Sequence, residues 1–279
     1  MLAGCSQVPD AQPAAVPSAT STTAGPSPIA TIGNCANENL TTRTAGQLTV
    51  AHSRATAPYF TDRTPADPVG FEVDVIDAIA AGLGFARTQI AWQSTLTREL
   101  TAPTTARFDL GIAQLEQDRS KTLVDFSDPY LVQTQVLIGR PDSLVNKVTD
   151  AAELSDASIG VLKGSSSDEY VTRVLGLDPV AYLTTDALKA ALRDRHVSGI
   201  IVADDMVNLV LTTFTGDLTV VGQFPPAPDA ATLHLSLPAG DPLRSCVDEV
   251  LARMSADGTL DELRAKWFAE GVDRIITSP

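Results

Sequence analysis

The chain is short of the residues on which most site chemistry depends. Among its 279 residues are three histidines and three cysteines, and Cys5, Cys35 and Cys246 form no CxxC pair. That excludes a zinc cluster or a thioredoxin-type redox motif. It is also short of positive charge: 20 Lys plus Arg against 34 Asp plus Glu leave a net charge of −14. Such a field repels phosphate backbones, so nucleic acid is not an expected partner. No run approaches the roughly 20 consecutive apolar residues of a membrane-spanning helix. HExxH, a GK[ST] phosphate loop, GxGxxG after a strand and an SxxK pair are all missing, so no metal or cofactor is expected. What is present, 44% hydrophobic and 19% charged residues, suffices for one or two ordinary domains with a sizeable core.

Cys5 follows Leu2-Ala3-Gly4, and Leu-Ala-Gly-Cys resembles the lipobox of bacterial lipoproteins, where this cysteine is acylated. Residues 1–5 are read as a remnant of such a signal, since its basic start and apolar run are missing ahead of Cys5. The alternative is a free thiol in a loose tail. Residues 6–33 are almost wholly Ala, Pro, Ser, Thr and Gly, too poor in bulk for a core and too rich in Pro for regular structure, so they read as a disordered tether reaching about 90 Å when extended. Anchor and tether imply an extracytoplasmic protein held to a bacterial cell membrane by lipid alone. In that compartment Cys35 and Cys246 can oxidise. The polar setting Gly33-Asn34-Cys35-Ala36-Asn37 favours a disulfide over two buried thiols, worth ~4 kcal/mol on the chain-entropy argument.

Beyond the tether, short apolar runs alternate with amphipathic stretches. Leu48-Thr49-Val50-Ala51 reads as a buried strand, and Val73, Ile76, Ile79, Ala80 and Leu83 share one helical face. Further strands are predicted at Gln89–Trp92, Leu110–Ala113, Ser158–Leu162, Gly199–Val202 and Leu218–Val221, with helices at Thr185–Arg195 and Asp204–Phe214. Gly164-Ser165-Ser166-Ser167-Asp168-Glu169 supplies a turn, hydroxyl caps and early carboxylates for a helix near Ser166. Two more helices open at Asp241-Pro242 and Asp257-Gly258-Thr259. This alternation predicts an α/β fold with mainly parallel sheet.

Several landmarks occur in order: Pro58-Tyr59-Phe60, Gly70-Phe71-Glu72-Val73-Asp74-Val75, Leu83-Gly84, Asp118-Arg119, Val124-Asp125-Phe126-Ser127-Asp128-Pro129-Tyr130, and Asp257-Gly258-Thr259 with Lys266-Trp267-Phe268. In combination they resemble the family 3 extracellular solute-binding proteins, the polar amino-acid receptors of ABC importers, over nearly everything after the tether. The resemblance implies a two-lobed type II periplasmic-binding-protein fold with a two-strand hinge, and a ligand held between lobes that close on it. Lobe 1 would comprise residues 34–139 plus 229–279, and lobe 2 residues 140–228. The break at Phe224-Pro225-Pro226-Ala227-Pro228 and the exit strand Gln135-Val136-Leu137-Ile138 agree with this division. It implies a monomer that captures an amino acid or a related small solute and delivers it to a membrane permease.

In that family an Arg before the Val-Asp-Phe-Ser segment grips the ligand carboxylate, a role that falls to Arg119, with backbone amides near Ser165 and Ser166 assisting. The ligand ammonium meets an Asp after a Val/Ile-rich strand, here Asp204, leaving Asp205 for solvent; either could instead cap the helix. Tyr59 and Trp92 are candidate walls, or core packing. Gln114 and Glu116 precede Arg119 where the family carries Thr or Ser, and Glu116 could add a counter-charge for a cationic ligand. Ser53 and Thr56, with Leu96 or Thr97, stand where acidic and aromatic groups are familiar. Two other functions stay open: a dehydratase or lyase of this fold with Glu116 and His52 as acid and base, and a lipoprotein that senses its ligand. His52 also reads as a hydrogen-bonded residue at a strand end.

Overall fold

The computed structural model describes residues 33–53, 57–64, 67–102, 107–117, 120, 123–214, 216–268 and 274–277. Cys5, Thr56, Arg119 and nearly all of the expected tether lie outside them.

Among the described residues, twelve strands form two five-stranded sheets and a two-stranded pair. The first sheet has the order β4 (Ile90–Ser94), β1 (Leu48–His52), β5 (Leu110–Glu116), β12 (Thr232–Pro238), β6 (Val124–Val132). The second has the order β11 (Thr219–Gln223), β7 (Gln135–Gly139), β10 (Gly199–Ala203), β8 (Ile159–Leu162), β9 (Val180–Tyr182). The two-stranded pair joins β2 (Thr61–Thr64) to β3 (Asp67–Val69).

Both sheets are mixed, against the expectation of mainly parallel strands. β1 runs parallel to β4 and β5, and β8 parallel to β9 and β10. β7 is antiparallel to β10 and β11, however, and β12 is antiparallel to β5 and β6. Parallel neighbours are joined by crossover connections, usually helical, and the two antiparallel strands instead enter straight from the other sheet. β7 comes straight from β6 through Gln133 and Thr134, and β12 comes from β11 through residues 224–231. The first crossing is therefore at 133–134, and β7, assigned from sequence to the first lobe, belongs to the second sheet. Residues 274–277, likewise placed in the first lobe, pair with Gln223 and Asp150 on the second.

Period-two burial sorts each sheet's side chains between two layers. In the first sheet, Leu48, Val50, Leu110, Ile112, Leu235 and Leu237 face α1 (Phe71–Gly82) and α6 (Leu243–Ala256). Ala51 faces the other way, with Leu100 of α2 (Thr97–Thr101) and Phe108. α1 contributes Phe71, Val75, Ile76 and Ile79, all 0% exposed, each burial worth about 1.5–3 kcal/mol. In the second sheet, Leu137 and Ile201 face α3 (Ser166–Glu169) and its π-helical continuation Tyr170–Val174, while Val136, Ile138, Ile200 and Val202 face α4 (Thr185–Arg193) and α5 (Val207–Thr213). α7 (Thr259–Trp267) completes the first layer.

Two features fix the start of α1. Gly70 has φ +148°, and a Cβ there would lie 2.1 Å from the Tyr59 carbonyl oxygen, so no other residue lets the chain pass Tyr59 so closely. The first helical amides then donate to the Pro58 and Tyr59 carbonyls at 3.0 and 2.9 Å, using donors that helix geometry leaves over. Cys35 and Cys246 form the disulfide, with Cα atoms 5.5 Å apart. Despite its polar sequence neighbours, Cys35 is buried in the first core.

Candidate functional site

Crevices in α/β sheets open at the carboxyl ends of parallel strands. Those ends are Ser53, Thr95 and Gln117 in the first sheet, and Lys163, Leu183 and Asp204 in the second. The two edges meet where the Tyr59 hydroxyl, beyond β1, donates to Asp205 Oδ2, beyond β10, at 3.0 Å.

Asp204 is 3% exposed and fully engaged. Its Oδ2 accepts from Arg264 Nη2 of α7 at 2.8 Å, and its Oδ1 accepts from the Asp205 amide at 3.0 Å. The Thr134 hydroxyl lies 3.2 Å from both Asp204 Oδ2 and Gln223 Oε1 and has one proton to give. Burial pushes the Asp204 carboxyl upward and the Arg264 charge opposes it. Asp205 differs: Oδ2 has Tyr59, whereas Oδ1 is buried and has no hydrogen-bond partner. Its carboxyl is raised by burial and then by the Asp204 charge, while Tyr59 and the nearby backbone amides pull it down. Burial and both aspartates raise the Tyr59 phenol far above its ordinary value, so it remains a donor. Of the two carboxylates only Asp204 is paired with the Arg264 guanidinium, and the oxygen without a partner belongs to Asp205. The sequence reading gave Asp204 to the ligand and Asp205 to solvent; in the structure Asp204 is buried and paired with Arg264, and Asp205 carries the buried oxygen that has no partner.

Gln114, a sequence-predicted ligand residue, is engaged with Glu72. Its φ is +47°, and its amide N–H and side-chain Nε2 donate to the two oxygens of Glu72 at 2.7 and 2.8 Å. The Tyr130 hydroxyl completes that 1%-exposed carboxylate at 2.5 Å. Burial raises the Glu72 carboxyl against these donors. Ser165 caps α3 by accepting from the Asp168 amide at 3.3 Å, and Ser166 Oγ accepts from Gln135 Nε2 at 3.3 Å. Ser167 donates to Gln135 Oε1 at 2.6 Å, tying α3 to the start of β7.

Trp92 packs edge-on against His52 and Phe60, whose rings stack at 4.1 Å. Tyr59 packs its ring on Phe71 and Phe268, so its ring is core and only its hydroxyl reaches the second sheet. Ser53 is half-buried, and its carbonyl oxygen lies 2.9 Å from His52 Nδ1. His52 pairs with Ile112 in the ladder. Glu116, exposed and opposite Leu233, lies four residues further along β5, about 13 Å away. An acid–base pair of His52 and Glu116 is therefore not assembled.

The structure gathers Tyr59, Asp204 and Asp205 at one place, with Arg264 and Thr134. Arg264 and Thr134 carried no motif in the sequence, because each gains its meaning from a carboxylate remote in the chain. Glu72 did stand in a recognisable motif, and a carboxylate inside an apolar helical face was its signal.

The sequence model of the bacterial extracellular solute-binding proteins, family 3, matches residues 48–270. The L-cystine-binding protein TcyJ of Escherichia coli is 29% identical over 212 residues, 74% of this chain and 76% of that one. The L-cystine-binding protein TcyA of Bacillus subtilis is 24% identical over 238 residues, covering 82% and 84%. Among solved structures, the L-cystine solute receptor of Neisseria gonorrhoeae in its unliganded open conformation superposes with a TM-score of 0.63 at 19% identity, over 81% of this chain and 94% of that one. That likeness identifies a type II periplasmic-binding-protein fold, and no helix among the described residues is long and apolar enough to cross a membrane. With the match extending over most of the chain, from β1 to beyond α7, this protein belongs to the bacterial extracellular solute-binding proteins of family 3.

Proposed function

We propose that the protein is the substrate receptor of an ABC importer, capturing an amino acid or a close relative between its two sheets and passing it to a membrane permease. The observation that carries the reading is the buried, unpartnered Oδ1 of Asp205 where the two carboxyl edges meet. A buried carboxylate oxygen without a donor costs free energy that an ammonium group recovers. Asp205 takes the ligand ammonium, Tyr59 orients that carboxylate, and Asp204 is the fixed bridge to Arg264. Arg119 binds the ligand carboxylate through its guanidinium fork. The lobes close about Thr134 and residues 224–231. Cys5 carries the lipid that holds the receptor on the extracytoplasmic face. The names of the relatives make L-cystine the first probe.

Isothermal calorimetry tests this with L-cystine and other amino acids, and with dithiodipropionate, which is L-cystine without its ammonium groups. Asp205→Asn is expected to weaken L-cystine about tenfold or more, the equivalent of one charge-assisted hydrogen bond, and to leave dithiodipropionate unchanged. Equal loss of both ligands would remove Asp205 from the site. No binding by the wild-type protein across the amino acids would end the amino-acid reading.

A further inference from the structure

The helix that completes the first layer is held at its end from the second sheet. Trp267 is the last residue of α7, and its carbonyl is one of those that a helix leaves without a partner at its C-terminus. Asn208 of α5 supplies the donor: its Nδ2 donates to the Trp267 carbonyl at 2.6 Å. One turn back along α7, Arg264 donates to Asp204 at 2.8 Å, a pair whose side chains are 22% and 4% exposed. Arg264 and Trp267 lie three residues apart, and their partners Asp204 and Asn208 lie four apart. The two bonds are therefore successive rungs about 5 Å from one another, one helical turn on each side. The Tyr59 bond to Asp205 joins the same two faces.

Each side of this contact is fixed to its own core. The Trp267 indole Nε1 and the Lys266 ammonium both donate to Asp74 Oδ2 of α1 at 2.6 Å, and Phe268 packs on Phe71 and Tyr59. Across from them, Val207 and Val210 of α5 are 0% exposed in the second core. Neither face can part from the other without carrying its lobe along. Every donor and acceptor in the contact is a protein group: Asp204 has its cation and α7 its end cap before any ligand arrives. Parting the two faces would take the guanidinium from a buried carboxylate, a separation that is strongly opposed unless water replaces it.

From these contacts we infer that α7 and the Asp204–Asn208 turn form a latch that keeps one flank of the cleft shut in the absence of ligand. The inference rests on the reading that the lobes hinge. Arg264 Nη2 also donates to Thr134 Oγ1 at 3.0 Å, so the first rung stands at the first crossing, where opening moves the chain least. The Asn208–Trp267 rung stands one turn further out and has the longer lever against opening. Asn208 is thus a positioning residue. It is none of the groups assigned to the ligand, and it holds the turn that carries Asp205 against Tyr59.

The test is a distance distribution by double electron–electron resonance, without ligand, in the full chain carrying Cys5→Ser. Spin labels go at Arg98→Cys and Asp186→Cys, both strongly exposed and each just beyond a strand's carboxyl end. One variant, Asn208→Asp, sets a carboxylate against the Trp267 carbonyl, and a second adds Arg264→Met to it. Both are expected to lengthen the mean distance, the double variant by ~5 Å or more. An unchanged distribution in the double variant would overturn the latch; if that variant does not fold, Asn208→Asp decides alone by the same criterion. A wild-type distance that shortens with L-cystine, beside ligand-free variants that do not lengthen, would keep the hinge and strike the latch. Failure of every amino acid to bind would end the amino-acid reading and leave the ligand-free result standing.

Discussion

The two sheets share a plan and differ in what closes them. Each has a parallel trio on one side and an antiparallel strand that arrives directly from the other sheet. The first core is rich in large rings, with Phe71, Phe85, Tyr130 and Phe268 around α1 and α6, and is closed covalently by Cys35–Cys246. The second is mostly aliphatic, with Tyr170 and Phe224 its buried rings, and is closed by the non-covalent seating of Ile276. One topology is thus finished in two ways, so the two regions should answer differently to the same perturbation.

Reduction breaks the comparison most sharply. The disulfide spans 211 residues of sequence, and Cys35→Ser is expected to cost ~4 kcal/mol. Hydrogen exchange should show the loss in amides of β1 and α6 with those of β8 and β10 little changed; equal loss in both sheets would mean that they unfold as one unit. Arg264→Met comes next, because it strands the buried Asp204 carboxylate that links the sheets. Removing one partner of a buried pair costs about 3 kcal/mol, measured by urea denaturation. An effect under roughly 1 kcal/mol would show that the pair behaves as an exposed one.

The smallest effect is a pH dependence centred on the first region. Asp77 of α1 is raised from its ordinary 3.8 to about 6, by burial first, with Arg87 opposing. Glu72, Asp204 and Asp205 are raised as well, chiefly by burial. A carboxyl with a folded pKa above its unfolded one binds more protons when folded, so stability falls as pH rises through the interval between the two. The protein should therefore be more stable at pH 4.5 than at pH 6.5, by under ~2 kcal/mol for Asp77. Asp77→Asn should flatten part of that slope, and an unchanged slope would take Asp77 out of it.

The first region was also the easier to read in advance. Its strand at Leu48, its helix face at Ile76 and Ile79 and its disulfide were visible, because alternation and helical spacing are local properties that burial enforces. The second region's elements were visible too, but not its membership: β7 reads like any apolar strand until Val136 and Ile138 are seen packing on Ile200 and Val202. The candidate site was legible in residue type and less in role. Asp204 and Asp205 are adjacent carboxylates after the same strand, and no local signal says which one a distant arginine will claim.

Sequence by itself determined the alternating elements, the acidic surface, the cysteine pair and the family, since each depends on composition, spacing or ordered motifs. Tertiary structure alone decided that Arg264 neutralises Asp204, that Tyr59 reaches Asp205, that Gln114 serves Glu72 and that residues 274–277 return to the second sheet. Each of those joins groups far apart in the chain, and electrostatic compensation and burial are settled only once the chain has brought them together.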